Sequence, residues 1–352
     1  LKDGKRIKLK EYILYVLAVF FYTNMTGMIN EYRRAYLVDI LRLTTHQMSF
    51  FNVFTGVAGF ALSFINAMIL DNKKIKNGNK FKGLGIASAI PCGIITVLIF
   101  WTPGFIESNP TVLMVWLCAI ALIQSVCFYF GGTVNMVAVV MTPNSREREQ
   151  LLSVRGISSA IGNSAPLVIV LVIAAITKTV KGYEDNMLNY FIAAILCGVV
   201  GAVTMLLGMS AVRERITYSD ERKNPLVGFA DVLKNPYARR VLYSEFLKSF
   251  RGIATFMQPF IAAAMLGSSS KTLLFALPIG IGTMVGMLII NALLKKFTSK
   301  MLYIASGVYS VIINIIAFGI GTLYLTHGQP LYLNIIFIVC LFGTGLPGGY
   351  PR

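Results

Sequence analysis

Residues 188–211 read LNYFIAAILCGVVGAVTMLLGMSA, an uninterrupted stretch of 24 residues without a single charged side chain. As a helix this stretch would be about 36 Å long, which is enough to cross the ~30 Å hydrocarbon layer of a bilayer. Nine other segments are also long and apolar enough to be candidate spans, although some of them contain charged residues. Together the predicted spans are 12–38, 46–70, 83–102, 111–141, 151–176, 188–211, 238–266, 272–294, 302–325 and 331–349. We expect the lipid-buried part of the first span to end near Asn30.

The composition agrees with a chain that lies mostly in lipid. Of 352 residues, 56% are hydrophobic and only 13% are charged, and the mean hydropathy is +0.69. A soluble domain of this size could not bury so much apolar surface, and a disordered chain would be far more polar. The sequence therefore predicts an all-α, polytopic membrane protein. The net charge of +17 is read as a signal of membrane orientation and not of nucleic-acid binding.

The loop charges predict the orientation. If the N-terminus is cytoplasmic, the cytoplasmic loops hold 22 Lys and Arg residues and the opposite loops hold 6. Basic residues collect on the cytoplasmic side of membrane proteins. We therefore predict a multi-pass protein of the cell membrane with its N-terminus in the cytoplasm.

The longest connection divides the chain. It follows the sixth span, and it predicts an N-terminal six-helix bundle (1–211), a cytoplasmic connecting loop (212–237) and an incomplete C-terminal bundle of four helices (238–352). Basic loops follow both the second and the eighth spans, as a parallel repeat of six plus six helices would produce. On this count the sequence is a fragment of about ten transmembrane helices, and the last two helices of a twelve-helix bundle are missing.

One loop carries a more specific pattern. After the fourth span the sequence reads PNSREREQL (143–151), and Arg155 follows within the fifth span. This run resembles the glycoside–pentoside–hexuronide cation symporter family of the major facilitator superfamily. The segment 79–83 (NKFKG) and the Gly-rich segment 343–350 are similar to other parts of that family. The resemblance implies a six-plus-six helix bundle that transports a sugar or glycoside together with a cation.

The same resemblance identifies departures from the family. The family's cation-binding carboxylates on helices two and four would fall at Gly59, Ser63 and Gly131 (or Gly132), and its sugar-binding acid on helix one would fall near Thr23. None of these residues is acidic. A sodium site needs anionic oxygens to offset dehydration, so we expect a co-transported proton in preference to sodium.

The start of the seventh span offers a replacement acid. Glu245, Lys248 and Arg251 are spaced three residues apart and share one side of a helix. Glu245 is the candidate coupling acid, with Lys248 beside it to adjust its protonation. The alternative is a solvated helix end with an intrahelical ion pair.

Four residues are candidates for substrate binding. Arg155 would orient the solute through its planar guanidinium, and Thr23, Gln124 and Asn135 would add uncharged hydrogen bonds. Gln124 and Asn135 are 11 residues apart and would share a face of a continuous helix. The alternatives are an Arg155 that reaches the membrane surface and pairs with Glu149, and polar residues that serve only in helix packing.

The function predicted from these features is secondary transport of a small polar solute by alternating access. The alternatives are an uncoupled facilitator, a carrier of a lysolipid or drug, and a non-transporting sensor on a transporter scaffold. The five cysteines and two histidines show no metal-ligand spacing. We therefore expect no metal site and no cofactor. Because both histidines lie at segment ends and carboxylates are absent from the middle of the spans, we do not expect an enzyme. The predicted partners are the solute, a cation and the lipid bilayer.

Overall fold

In the computed structural model, helices are the only regular secondary structure of the residues that it describes. These residues are 7–72, 80–183, 185–216, 233–249, 260, 273–293, 297, 299–326 and 331–346. The principal helices are α1 (Leu9–Ala35), α2 (Thr45–Asn72), α3 (Phe81–Ile99), α4 (Pro110–Gly131), α5 (Ser145–Lys181), α6 (Asn186–Ala211), α7 (Pro236–Ser249), α8 (Leu273–Leu293), α9 (Ser299–Thr326) and α10 (Leu331–Gly345).

The all-helical membrane fold predicted from the sequence is confirmed. Within the described ranges, seven helices are long and apolar enough to cross a membrane. Helices α8 and α10 match further predicted spans, while most of the predicted span 238–266 lies outside the described residues. The chain divides into two compact units, residues 1–256 and 257–352. The domain limits at 211 and 238 stay a prediction.

Helix α1 is the element around which the first unit packs. It contacts α5, α6 and α3 along its length, while α2 and α3 both pack against α4. Close approach of the backbones is possible because small residues stand at the crossings. At the crossing of α3 and α6, a Cβ on Gly93 would lie 2.6 Å from the carbonyl oxygen of Gly198. Any larger residue there would force these two helices apart.

The ends of the helices follow from local sequence. Asn109 caps α4 by accepting hydrogen bonds from the backbone N–H groups of Thr111 and Val112, with Pro110 at the first helical position. Helix α5 is followed by Gly182, whose φ of +76° is the left-handed conformation that closes many helices. Asp185 then caps α6 through the N–H of Leu188.

The first helix agrees in extent with the predicted span 12–38. Helix α1 runs to Ala35, a π-helical segment, Tyr36–Ile40, continues it, and Glu31 and Tyr32 near its C-terminal end are buried within the protein. The expectation that its lipid-buried part ends near Asn30 stays a prediction.

The second unit is organised around α10, which packs against both α8 and α9. Gly282 of α8 abuts the backbone carbonyl of Phe342 in α10, and Gly286 abuts that of Leu346, the residue that follows α10. The hydroxyl of Thr283 donates to the carbonyl of Gly345 at 3.1 Å. This packing again depends on small residues at the crossing.

Candidate functional site

Helix α4 is discontinuous near its C-terminal end. Its regular part ends at Gly131, a short helix follows at Thr133–Met136, and the chain then tightens into a 3₁₀ turn at Val137–Val139. The prediction that Gln124 and Asn135 share one face requires a continuous helix. The helix is not continuous, because the break at Gly132 lies between the two residues.

The carbonyl groups near this break accept hydrogen bonds from neighbouring helices. The Tyr22 hydroxyl of α1 donates to the carbonyl of Phe128 at 2.9 Å, and the Cys92 thiol of α3 donates to that of Cys127 at 3.3 Å. Both side chains also lie against Gly131, where an added Cβ would come within 2.8 Å of the Tyr22 ring and 2.9 Å of the Cys92 sulfur. The space that a side chain at position 131 would need is therefore already filled.

Arg155 belongs to the same region. It lies on α5, is half-buried, and donates from Nη1 to the backbone carbonyl oxygen of Asn135 at 2.8 Å. The structure thus brings together two of the predicted site residues, Arg155 and Asn135. A guanidinium has five N–H donors, so this single hydrogen bond occupies only part of its capacity.

Gln124 lies in a different part of the bundle. Its Oε1 accepts a hydrogen bond from Nη1 of Arg33 at 2.9 Å, and the Arg33 guanidinium carbon lies 5.9 Å from the centre of the Phe51 ring. A small cavity of about 10 Å³ adjoins these groups, which is room for a single water molecule. It is lined by Arg33, Leu37, Phe51, Ile99, Leu117, Ile120, Ala121 and Gln124.

Thr23 is buried between helices. Only 6% of its surface is exposed, and its hydroxyl donates to the carbonyls of Val19 and Phe20 within α1. The hydroxyl also lies where a side chain at Gly162 of α5 would project. In this conformation Thr23 contributes to the packing of α1 on α5, and its role in substrate binding stays a prediction.

The positions that correspond to the family's cation-binding acids lie in α2 and α4. The Ser63 hydroxyl donates to the carbonyl of Gly59 in the preceding turn, at 2.8 Å. A Cβ on Gly59 would meet only the Ser125 hydroxyl, at 3.8 Å. Across the part of the chain that the structure describes, no three His, Cys, Asp or Glu residues are grouped as they would be around a metal ion.

Glu245 and Lys248, the candidate coupling pair, fall within α7. The structure describes only the backbone of these two residues, and Arg251 lies outside the described residues. The proposed coupling role of both residues therefore stays a prediction.

An ion pair between α1 and the segment after α6 was not foreseen from the sequence. Arg215 donates to both carboxylate oxygens of Glu11, at 2.9 and 2.8 Å, and the backbone N–H of Arg213 donates to Glu11 as well. Arg215 also donates to the carbonyl of Met141, after α4. The hydrogen bond to Glu11 raises the pKa of Arg215 above its ordinary value, so the guanidinium keeps its charge at any working pH.

Two more carboxylates fix the same end of the first unit. Glu147, from the REREQL run, accepts hydrogen bonds from the N–H of Ile7 and the hydroxyl of Thr142. Glu214 accepts from three successive N–H groups at the start of α3, those of residues 80, 81 and 82. These bonds satisfy donors that a helix start leaves unpaired. The REREQL run, which carries the family resemblance, thus has a structural role through the hydrogen bonds of Glu147.

Comparison with known proteins gives one family. The profile of the family described as MFS/sugar transport protein matches residues 12–351. YagG of Escherichia coli (strain K12), whose name gives it as a glycoside/cation symporter, is 24% identical over 184 residues. That alignment covers 52% of this chain and 38% of YagG, so the chain matches well under half of that relative.

Solved structures agree in fold. The nucleoside transporter NupG superposes with a TM-score of 0.64 at 13% identity, over 97% of this chain and 80% of that one. The xylose transporter XylE from E. coli gives a TM-score of 0.60 at 12% identity, over 96% of this chain and 84% of that one. At these identities the likeness concerns the fold alone. The family match, by contrast, extends over nearly the whole sequence, and the chain belongs to the MFS/sugar transport protein family.

Proposed function

We propose that the protein is a secondary transporter that moves a small polar solute, a sugar or a glycoside, across the cell membrane by alternating access. The observation that carries this proposal is the family match across residues 12–351. The name of YagG adds a glycoside and a cation as the kinds of cargo to test first. The same family assignment favours a transporter over an enzyme.

The contacts around the break in α4 support a role for Arg155 in binding the solute. One N–H of its guanidinium is bonded to the carbonyl of Asn135, and this bond would fix the plane of the group. The remaining donors could then bind two neighbouring hydroxyls of a sugar in the geometry that a planar fork prefers. Asn135 beside it, Gln124 and Thr23 are proposed as the uncharged partners of the solute.

The coupling ion is proposed to be a proton and not sodium. Gly59, Ser63 and Gly131 offer no carboxylate at the positions of the family's cation site, and neutral oxygens alone give a weak sodium site. A proton needs only one titratable carboxyl group. Glu245, with Lys248 one turn away, is the proposed acid of α7.

The proposed orientation places the N-terminus in the cytoplasm. It is supported by the excess of basic residues, 22 against 6, in the loops assigned to that side. The Glu11–Arg215 pair and the Glu214 cap of α3 would then lie at the cytoplasmic end of the first unit.

Uptake by proteoliposomes tests the proposal. We would present a panel of radiolabelled solutes, namely xylose, methyl-xyloside, a xylosyl disaccharide and glucuronate, first under a pH gradient and then under a sodium gradient. We expect accumulation of at least one of these sugars with the pH gradient and none with sodium. Equal flux without either gradient would indicate a facilitator, and accumulation driven by sodium alone would refute the proposed coupling.

Glu245→Gln serves as the coupling variant in the same assay, and Arg213→Gln, which changes an exposed residue, serves as the matched control. We expect Glu245→Gln to abolish accumulation against a gradient while the control transports normally. A Glu245→Gln protein that is still driven by the pH gradient would remove Glu245 from the coupling role.

A further inference from the structure

Glu31 of α1 is a buried carboxyl group without the partners that buried carboxylates normally have. Only 5% of the residue is exposed, and its Oε2 has no hydrogen-bond partner among the described residues. Glu11, at the other end of the same helix, is buried to the same degree but binds the Arg215 guanidinium with both oxygens. The carboxylate of Glu11 is therefore neutralised by a guanidinium, whereas that of Glu31 has no such counter-charge among the described residues.

The position of Glu31 on the helix tells which elements enclose it. Gly27, one turn earlier, lies against the backbone carbonyl of Asn163 in α5, so Glu31 follows on the side of α1 that faces α5. The next residue, Tyr32, packs its ring 5.1 Å from the ring of Tyr190 in α6. Glu31 thus stands where the C-terminal end of α1 meets both helices.

Within the described residues, none of the charged groups on the neighbouring elements forms an ion pair with Glu31. On α1 itself, Arg33 donates to Gln124 instead. At the nearby ends of α5 and α6, Lys181 is paired with Asp185 at 2.9 Å, and Lys178 is exposed. Helix α3 carries no Asp, Glu, Lys, Arg or His beyond Lys82. Other titratable groups at this end include Arg34, three residues after Glu31 on α1, together with Tyr36, Asp39, Tyr183 and Tyr190.

An ionised carboxylate in such a place would need either water or a cation, whereas the neutral acid needs neither. We propose that Glu31 is a proton-binding site, and that its protonation permits the closed packing of the C-terminal end of α1 against α5 and α6. Loss of the proton draws water to the carboxylate and opens this contact. A proton taken up at Glu31 would then bias alternating access, a consequence that rests on the proposed transport function.

This site differs from the family's cation site, whose positions fall on α2 and α4, and from Glu245 on α7. It places a titratable carboxyl group inside the apolar span Leu9–Ile40. Asp39, two helical turns further on and exposed, provides a matched control on the continuation of the same helix.

Infrared difference spectroscopy tests the protonation directly and needs no solute. The purified protein in lipid nanodiscs would be titrated from pH 6 to pH 9, and the C=O stretch of protonated carboxyl groups would be followed in H₂O and D₂O. We expect the wild type and Asp39→Asn to show a protonated-carboxyl band at neutral pH that disappears at high pH. Glu31→Gln should lose the component of this band that belongs to Glu31, while any component from Glu245 remains. A band that survives unchanged in Glu31→Gln, or its absence from the wild type, would overturn the proposal.

Thiol reactivity tests the opening. Thr177 is buried near the end of α5, and Lys178 beside it is exposed. The labelling rate of Thr177→Cys, divided by that of Lys178→Cys, corrects for ionisation of the thiol itself. We expect this ratio to rise with pH by up to about tenfold per unit, the limit for one proton, and to be independent of pH when Glu31→Gln is added.

A ratio that does not change with pH in the otherwise unaltered protein, or that changes equally with Glu31→Gln, would refute the opening. Neither measurement depends on transport. A protein that carries no sugar could still show both signals, and a sugar transporter could lack them. Failure of this proposal is therefore distinguishable from failure of the proposed function.

Discussion

The ion pair between Glu11 and Arg215 gives a prediction whose magnitude follows from the structure. The Glu11 side chain is 7% exposed and the Arg215 side chain 23%. Removing one member of a buried pair costs about 3–5 kcal/mol, because the other charge stays buried without compensation. Since the guanidinium is partly exposed, water can reach some of the site, and we expect about 3 kcal/mol for Arg215→Ala.

This loss is large enough to measure as a shift in melting temperature. A unit of 150–250 residues loses about 2–4 °C per kcal/mol, so Arg215→Ala should lower Tm by about 6–12 °C. The buried thiols of Cys92 and Cys197 allow unfolding to be followed with a dye that fluoresces on reaction with cysteine. Arg213→Ala is the matched control, because Arg213 contacts Glu11 through its backbone N–H and its side chain is exposed.

The control should melt within about 2 °C of the wild type, since exposed substitutions usually change stability by less than 0.5 kcal/mol. In the double variant Glu11→Gln/Arg215→Ala the stranded charge is gone, and we expect part of the lost Tm to return. A Tm of Arg215→Ala equal to that of the wild type would refute the reasoning. So would a loss of Tm in the double variant that exceeds the sum of the losses in the two single variants.

Three further predictions concern packing, the solute site and topology. Gly131→Ala should reduce the yield of folded protein because its Cβ has no space, while the Cβ of the control Gly59→Ala would make only an ordinary contact and this variant should express normally. Equal yields of the two variants by fluorescence-detected size exclusion would contradict the packing argument. Arg155→Lys should lower sugar uptake at least tenfold, nearly as much as Arg155→Ala, because a point charge replaces a fork; normal uptake by either would make Arg155 purely structural. In a cysteine-free background, cysteine at Glu107 should react with an impermeant thiol reagent in intact cells and cysteine at Arg213 should not, and the reverse labelling would overturn the proposed orientation.

Much of the fold could be predicted because spanning helices are set by local composition. The stretches predicted at 188–211 and 46–70 correspond to α6 and α2 within a few residues at each end. A helix that crosses the bilayer needs about 20 consecutive apolar residues, and such a stretch can be counted in the sequence. The family resemblance rested on residues 143–151 and is confirmed by the family match.

Pairings between distant residues could not be predicted in the same way. Glu11 and Arg215 are separated by 204 residues, and nothing in the sequence near either one identifies the other. The burial of Glu31 within the protein could not be predicted, because Arg33 and Arg34 beside it make this part of the sequence polar. In the structure Arg33 donates to Gln124, and Glu31 is buried. The discontinuity in α4 had a visible signal, the pair Gly131–Gly132, which the count of helical turns ignored.

Our central proposal is that this protein carries a sugar across a membrane by alternating access, and solute counterflow tests it most directly. Purified protein is reconstituted in liposomes that are loaded with an excess of the unlabelled sugar identified in the uptake panel. The liposomes are then diluted into a trace of the same sugar in labelled form. Liposomes without protein serve as the comparison. The account predicts a transient accumulation of label above its outside concentration in the protein-containing vesicles alone, with both ion gradients collapsed. Binding of the sugar to the protein without any such overshoot would contradict the account and would identify a sensor instead of a transporter.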